Sequence, residues 1–176
     1  MSTPFIIPTL ETERLMLRGP SADDLAPMMT FFGSDHATFY GGPMTEKDAW
    51  LKLASYAGQW AFRPYGWFSA YRKSDMAMVG MAGPHHPVGL PEPEMSWLLV
   101  SPDFEGQGLA REAAAAVLNH LFADLGWDSV VSYIDPKNIP SRKLAEALGA
   151  TLDTNAVSPL EGCDVFRHVA KSGGTA

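Results

Sequence analysis

Cysteine is nearly absent from this 176-residue chain: Cys163 stands alone, which excludes an internal disulfide framework and a cysteine-rich zinc site. Positive charge is also short, with 13 Lys and Arg against 20 Asp and Glu for a net charge of −7. A dedicated nucleic-acid binder normally carries the opposite surplus, so no nucleic-acid partner is expected. No apolar run approaches the roughly 18–20 residues of a membrane span, and no membrane partner is expected either. The opening MSTPFIIPTLETERL has neither a basic flank nor a long apolar stretch, so no secretory signal is read there. Linkers, repeats and low-complexity tracts are missing as well. What is present, 46% apolar and 19% charged residues, suits one globular domain over residues 1–176, with a core over 10–170 and short flexible ends. A chain of this size buries about 70% of its extended surface on folding, enough for a core without staples. The expected compartment is the cytoplasm.

Periodicity supplies the elements. Glu13 to Arg18 alternates and reads as a strand, with Leu15 and Leu17 on the buried face. Ser21-Ala-Asp-Asp24 has the form of a capping box, and Leu25, Met28, Met29 and Phe32 mark one face of a short helix ending near Gly33. Thr45-Glu-Lys-Asp48 repeats the signal before a second helix, whose expected stripe is Trp50, Leu53, Ala54, Ala57 and Ala61. Trp67–Arg72 and Met76–Ala82 read as a hairpin, His85–Pro93 as a proline-rich loop, and Met95–Val100 as a strand covered on both faces. Helical spacing runs from Gly108 to Leu125, a strand from Ser129 to Ile134, a helix from Pro140 to Leu148, and two last strands near Thr151–Val157 and Asp164–Val169. This order predicts an α/β (α+β) fold in three layers, a mixed central sheet of six or seven strands flanked by four helices.

Chemistry concentrates where strands turn into helices. Gly106 and Gly108 lie between a buried strand and a long helix, where residues without Cβ let backbone N–H groups approach an anion at the positive end of the helix dipole. The pair reads either as a pyrophosphate cradle or as an ordinary tight turn. It is not a Walker loop, because the Lys-Ser/Thr is missing, nor a dinucleotide fingerprint, because Arg111 holds the third glycine's place. A second polar turn begins at Asn138, with Lys137, Arg142 and Lys143 beside it. His85 and His86 are adjacent and have no accompanying ligand cluster, so they read as a solvated or substrate-facing loop, and no metal is expected. Cys163 lacks the His-carboxylate spacing of an activated nucleophile and reads as a small core or near-surface residue.

In Thr12-Glu-Arg-Leu-Met-Leu-Arg18, Glu94-Met-Ser-Trp97, Glu105-Gly-Gln-Gly-Leu-Ala110, Asn138-Ile-Pro-Ser141 and Leu148-Gly149, the chain resembles the GCN5-related N-acetyltransferase (GNAT) superfamily, in its ribosomal-protein-alanine acetyltransferase-like branch. The resemblance covers nearly the whole chain. It implies an acetyl-CoA-dependent N-acetyltransferase that needs no metal, with a primary amine as acceptor, on a protein N-terminus or a small molecule. A homodimer is left open. Leu99 and Val100 would pair with the pantetheine arm. The amides of Gly106, Gln107, Gly108, Leu109, Ala110 and Arg111 would hold the pyrophosphate. Asn138 and Ser141 would line the thiol side, and Lys143 or Arg142 would reach the adenosine phosphate. Phe39 and Tyr40 would contact the acceptor or equally pack their loop down, and Trp97 reads first as core and second as a wall of the acceptor pocket.

Two departures stand out. Glu105 brings a carboxylate to a phosphate site, tolerable only if it points to water. Ala145 stands where many relatives carry a tyrosine that protonates the departing thiolate. Attack on a thioester requires a neutral amine, and the resemblance makes Glu94 the first choice of general base, against the plainer reading of a solvent-facing loop end. The oxyanion would need a donor such as the backbone N–H of Leu99 or Val100. Ser141 would either hydrogen-bond the thioester sulfur or satisfy its own helix end. An alternative function is a catalytically silent domain that binds coenzyme A as a sensor or interaction module.

Overall fold

In the computed structural model, which describes residues 6–171, one eight-stranded sheet organises the chain. The strands are β1 (Leu10–Glu11), β2 (Leu15–Arg18), β3 (Phe68–Arg72), β4 (Met78–His85), β5 (Glu94–Leu99), β6 (Ser129–Ile134), β7 (Thr151–Leu152) and β8 (Asp164–Val169), in spatial order β1-β2-β3-β4-β5-β6-β8-β7. The helices are α1 (Leu25–Phe32), α2 (Glu46–Phe62), α3 (Leu109–Asn119, continued by a π-helical turn His120–Asp124) and α4 (Ile139–Ala147). The sheet exceeds the expected six or seven strands because the two residues of β1 pair with β2, too short a run to show any period. The short flexible ends expected from the sequence fall on residues outside the described ones.

Helices cover both faces. Leu15, Leu17, Phe68, Val79, Met95 and Trp97 pack beneath α3, while Met81 and Leu98 face Met28, Phe31, Leu53 and Tyr56 of α1 and α2. Adjacent Trp97 and Leu98 thus enter different cores, as strand alternation requires. The expected stripe of α2 is displaced: Ala49, Leu53, Tyr56, Gln59 and Trp60 are buried, whereas Trp50 is 54% exposed. Trp50 is therefore not core. At the sheet edge, buried Asp24 accepts from Ser69 Oγ, Tyr71 Oη and the Ser21 amide and pairs with Arg18 at 3.1 Å, so its charge is compensated.

All neighbouring strands run antiparallel except β5 and β6, which are parallel and pair directly only at Glu94 and Val131. Beyond that rung they separate. Ser132 Oγ of β6 donates to Met95 O at 2.6 Å, with His168 Nε2 3.1 Å behind it. A hydroxyl takes the place of the next backbone rung, and the gap between β5 and β6 opens from there.

Candidate active site

The gap continues into two cavities, of about 610 and 770 Å³, that share Thr38, Phe39, Tyr40, Trp97, Asn138 and Ser141 as lining. The first extends past Leu98 and Leu99 to the β5–α3 loop and α4; the second extends past Glu94, Lys52 and His85 to Tyr133 and Cys163.

Around the first cavity the chain leaves backbone donors open. Ser101 caps only the short 3-10 turn Pro102–Phe104, through the Asp103 amide. Gly106 and Gly108 then take left-handed φ of 70° and 74°, and Gly108 becomes the N-cap of α3 with no side-chain cap. Helical bonding starts at Glu112 N–H to Gly108 O. Among the described residues no acceptor meets the amides of Gly106 and of Gly108 to Arg111, which line the first cavity and leave open donors at a positive helix end, whereas Gln107 follows a closed turn and lines neither cavity. A Cβ at Gly106 would meet nothing within 4 Å. Arg14 fastens this loop from the β1–β2 turn, donating to Gln107 O at 2.9 Å and pairing with Glu112 at 2.6 Å, while Thr12 Oγ1 donates to the same carboxylate. The side chain of Glu105 is 60% exposed, 3.7 Å from His36 Nδ1, as a tolerable carboxylate there must be.

The register of β4 and β5 corrects one expected donor. Val100 N–H is committed to Val79 O at 3.1 Å. Since hydrogen-bonded and non-bonded pairs alternate, Trp97 and Leu99 are the residues whose N–H and C=O face the gap, and Val100 is not. Tyr40 Oη already donates to Trp97 O. The side chain of Gln107 turns back to Asp103 O, leaving only its backbone at the loop. Arg142 pairs with Asp164 and lies over Phe166, and neither it nor the exposed Lys143 lines either cavity. Ala145 is fully buried in the core and lines neither cavity. Arg111 reaches across to Ala147 O at 3.4 Å and lines the first cavity.

Where the cavities meet, Asn138 Oδ1 accepts from the Ser141 amide at 3.2 Å, capping α4. Ser141 Oγ has no bond among the described residues. Trp97 is buried, edge-on to His168, and walls both cavities. Phe39 stands 47% exposed at the rim.

In the second cavity Glu94 is half-buried. Burial pushes its carboxyl up to about 7, with hydrogen bonds from Ser96 and the Tyr133 backbone and the charge of Lys52 acting the other way. Burial lowers the Lys52 ammonium, and burial raises the Tyr40 and Tyr56 hydroxyls. Cys163 borders this cavity half-buried, its thiol raised by burial. Lys52 and Tyr56 went unrecognised from sequence, and His85, read there as part of a solvated or substrate-facing loop, borders the chamber. β4 runs on to His85 and sets it directly opposite Glu94, whereas a proline-rich loop was expected there. Among the described residues no group of three or more His, Cys, Asp or Glu side chains is arranged to hold a metal ion.

The arrangement is a slot lined by open backbone donors that shares its lining with a chamber holding a carboxyl raised toward neutrality. The family model for an acetyltransferase (GNAT) domain matches residues 14–151. A crystal structure of an acetyltransferase from Agrobacterium tumefaciens superposes with a TM-score of 0.87 at 33% identity, covering 96% of this chain and 98% of that one. A ribosomal-protein-S5-alanine acetyltransferase from Vibrio fischeri shares the fold, with a TM-score of 0.70 at 15% identity over 93% of this chain and 97% of that one. The uncharacterized N-acetyltransferase YnaD of Bacillus subtilis is 23% identical over 142 residues, 80% of this chain and 81% of its own length.

Proposed function

Because this chain belongs to the GNAT acetyltransferase family, we propose that it transfers acetyl from acetyl-CoA to a primary amine by direct attack in a ternary complex. One observation carries the reading: the slot of open amides and the chamber of Glu94 meet at Trp97, Asn138 and Ser141. Bound acetyl-CoA supplies an acyl group activated as a thioester. The residues suit it. The open N–H groups of Gly106 and of Gly108 to Arg111 suit a pyrophosphate, and the free backbone edge of Leu99 suits the amides of a pantetheine arm.

Glu94 takes the proton of the attacking amine. Amines with reference pKa values near 8–10.4 are mostly protonated at neutral pH, and a base near pH 7 is matched to drawing off that proton. Trp97 N–H, on the gap side of β5 where the cavities join, donates to the acetyl oxygen as negative charge develops there. Ser141 Oγ donates to the sulfur as it departs. A thiol pKa near 8.5 leaves the thiolate needing little acid help, so a tyrosine is dispensable.

Glu94→Gln tests the assignment. With acetyl-CoA and an accepted amine, release of free thiol should fall about 10²–10⁴-fold in kcat. The wild type's kcat/KM should rise with pH through an apparent pKa near 7. The sign for stability is opposite to that for activity. The folded carboxyl titrates above its ordinary 4.5, so the folded chain keeps a proton that the unfolded chain releases. Stability is lost as pH rises from 4.5 to about 7, and the glutamine variant should melt higher than wild type at pH 8. Coenzyme A binding without thiol release for any amine would overturn the proposal in favour of a silent binding domain.

A further inference from the structure

Two of the donors bordering the chamber, His85 and Lys52, lie beside Glu94 and are not used in proton abstraction. His85 and Glu94 are direct cross-strand partners, so their side chains share one face. Trp67 Nε1 donates to His85 Nδ1 at 3.3 Å. An indole N–H only donates, so Nδ1 keeps its lone pair and the ring proton sits on Nε2. Tyr56 holds the imidazole edge-on at 5.4 Å, and His85 Nε2 meets no acceptor among the described residues while the ring borders the chamber. Burial, with the nearby charges of Lys52 and His86, lowers this histidine to about 4, so near neutrality it is a donor and not a second base.

Lys52 enters from α2. Its Nζ donates to Tyr40 O, leaving two of its three hydrogens for the chamber. Glu94, which also accepts from Ser96 and the Tyr133 backbone, is therefore flanked by these two donors, one of them cationic. A simple amine satisfies Glu94 alone, and a polyamine sets further positive charge against Lys52. An amine with a carboxylate beside it satisfies all three groups.

We infer that the acceptor is an amino-acid-like zwitterion, its amine directed to Glu94 and its carboxylate to His85 Nε2–H and Lys52 Nζ. The inference rests on the N-acetyl transfer proposed above and specifies its substrate class. Nitrogen attacks the acetyl carbonyl, its proton passes to Glu94, the C–S bond breaks, and the thiolate leaves to be protonated. The product is an N-acetyl amino acid with its carboxylate unchanged.

Thiol release from acetyl-CoA, measured over the amino acids, their decarboxylated amines and carboxamides, spermidine and an alanine-initiated peptide, tests it. An amino acid should be the best acceptor, with kcat/KM about tenfold or more above its decarboxylated amine, the scale of one charge-assisted hydrogen bond. Lys52→Met should reduce that preference about tenfold, and Lys52→Arg should retain most of it. His85→Ala should weaken the preference and His85→Gln, which can present an N–H in the same direction, should restore it; this pair also decides the matter if Lys52→Met fails to fold. Spermidine, the peptide or a decarboxylated amine as best acceptor, or a preference untouched by both Lys52→Met and His85→Ala, would overturn the zwitterion while leaving N-acetyl transfer standing. No thiol release from any amine, with coenzyme A still bound, would remove the N-acetyl reading and this inference with it.

Discussion

The two strand-to-helix junctions bordering the gap treat their amides in opposite ways. After β6, Asn138 Oδ1 accepts from the Ser141 N–H, and α4 begins as a self-contained piece of structure. After β5, Ser101 is spent on a 3-10 turn, Gly108 offers α3 no side chain, and a run of amides is left to face a cavity. A glycine N-cap forgoes only about a few tenths of a kcal/mol against a capping side chain, so leaving these amides open costs the fold little. The capped junction satisfies its own donor; the open one leaves its donors to the cavity.

Gly108→Val breaks the contrast at its most sensitive point. Valine at a φ of 74° is strained and crowds the donors, so coenzyme A affinity by calorimetry should drop about 100-fold, the worth of one or two charge-assisted hydrogen bonds. Ser141→Ala tests whether the capped junction contributes chemistry as well as shape. Its backbone amide remains capped, so binding should hold while kcat falls about tenfold or less, the scale of one neutral hydrogen bond. An unchanged kcat would remove the hydroxyl from the mechanism. Asn138→Ala is the smallest effect and the sharpest control. It should cost about 1 kcal/mol of stability, a Tm drop of roughly 2–4 °C. A large loss of coenzyme A affinity in that variant would mean the second junction is also a binding site, and the distinction would fall.

Much of this was readable in the chain because its punctuation is strong. Gly106 and Gly108, Asn138 and the 129–134 and 164–169 strands stand where pattern placed them. What escaped was whatever depends on parity or on distance. Trp97-Leu-Leu-Val100 is apolar throughout, so nothing in it reveals which amides face the gap; only pairing with β4 at Val79 decides against Val100. Along α2 the alanines fit either face equally, and burial went to Tyr56 and Gln59, not to Ala57 and Ala61. Lys52 and Glu94 are far apart in sequence and become neighbours only when α2 packs on the sheet. His85 was read as the start of a proline-rich loop, solvated or substrate-facing, while the strand in fact continues through it.

The parting of β5 from β6 leaves an interior sheet margin, and a bare margin of that kind invites any extended peptide to add itself as a strand. Here the vulnerable carbonyls are already covered by hydroxyls, Met95 O by Ser132 and Trp97 O by Tyr40. Side chains satisfy those groups without extending the ladder, so of the three β5 residues turned to the gap only Leu99 keeps an uncovered carbonyl, a margin too short to recruit a strand.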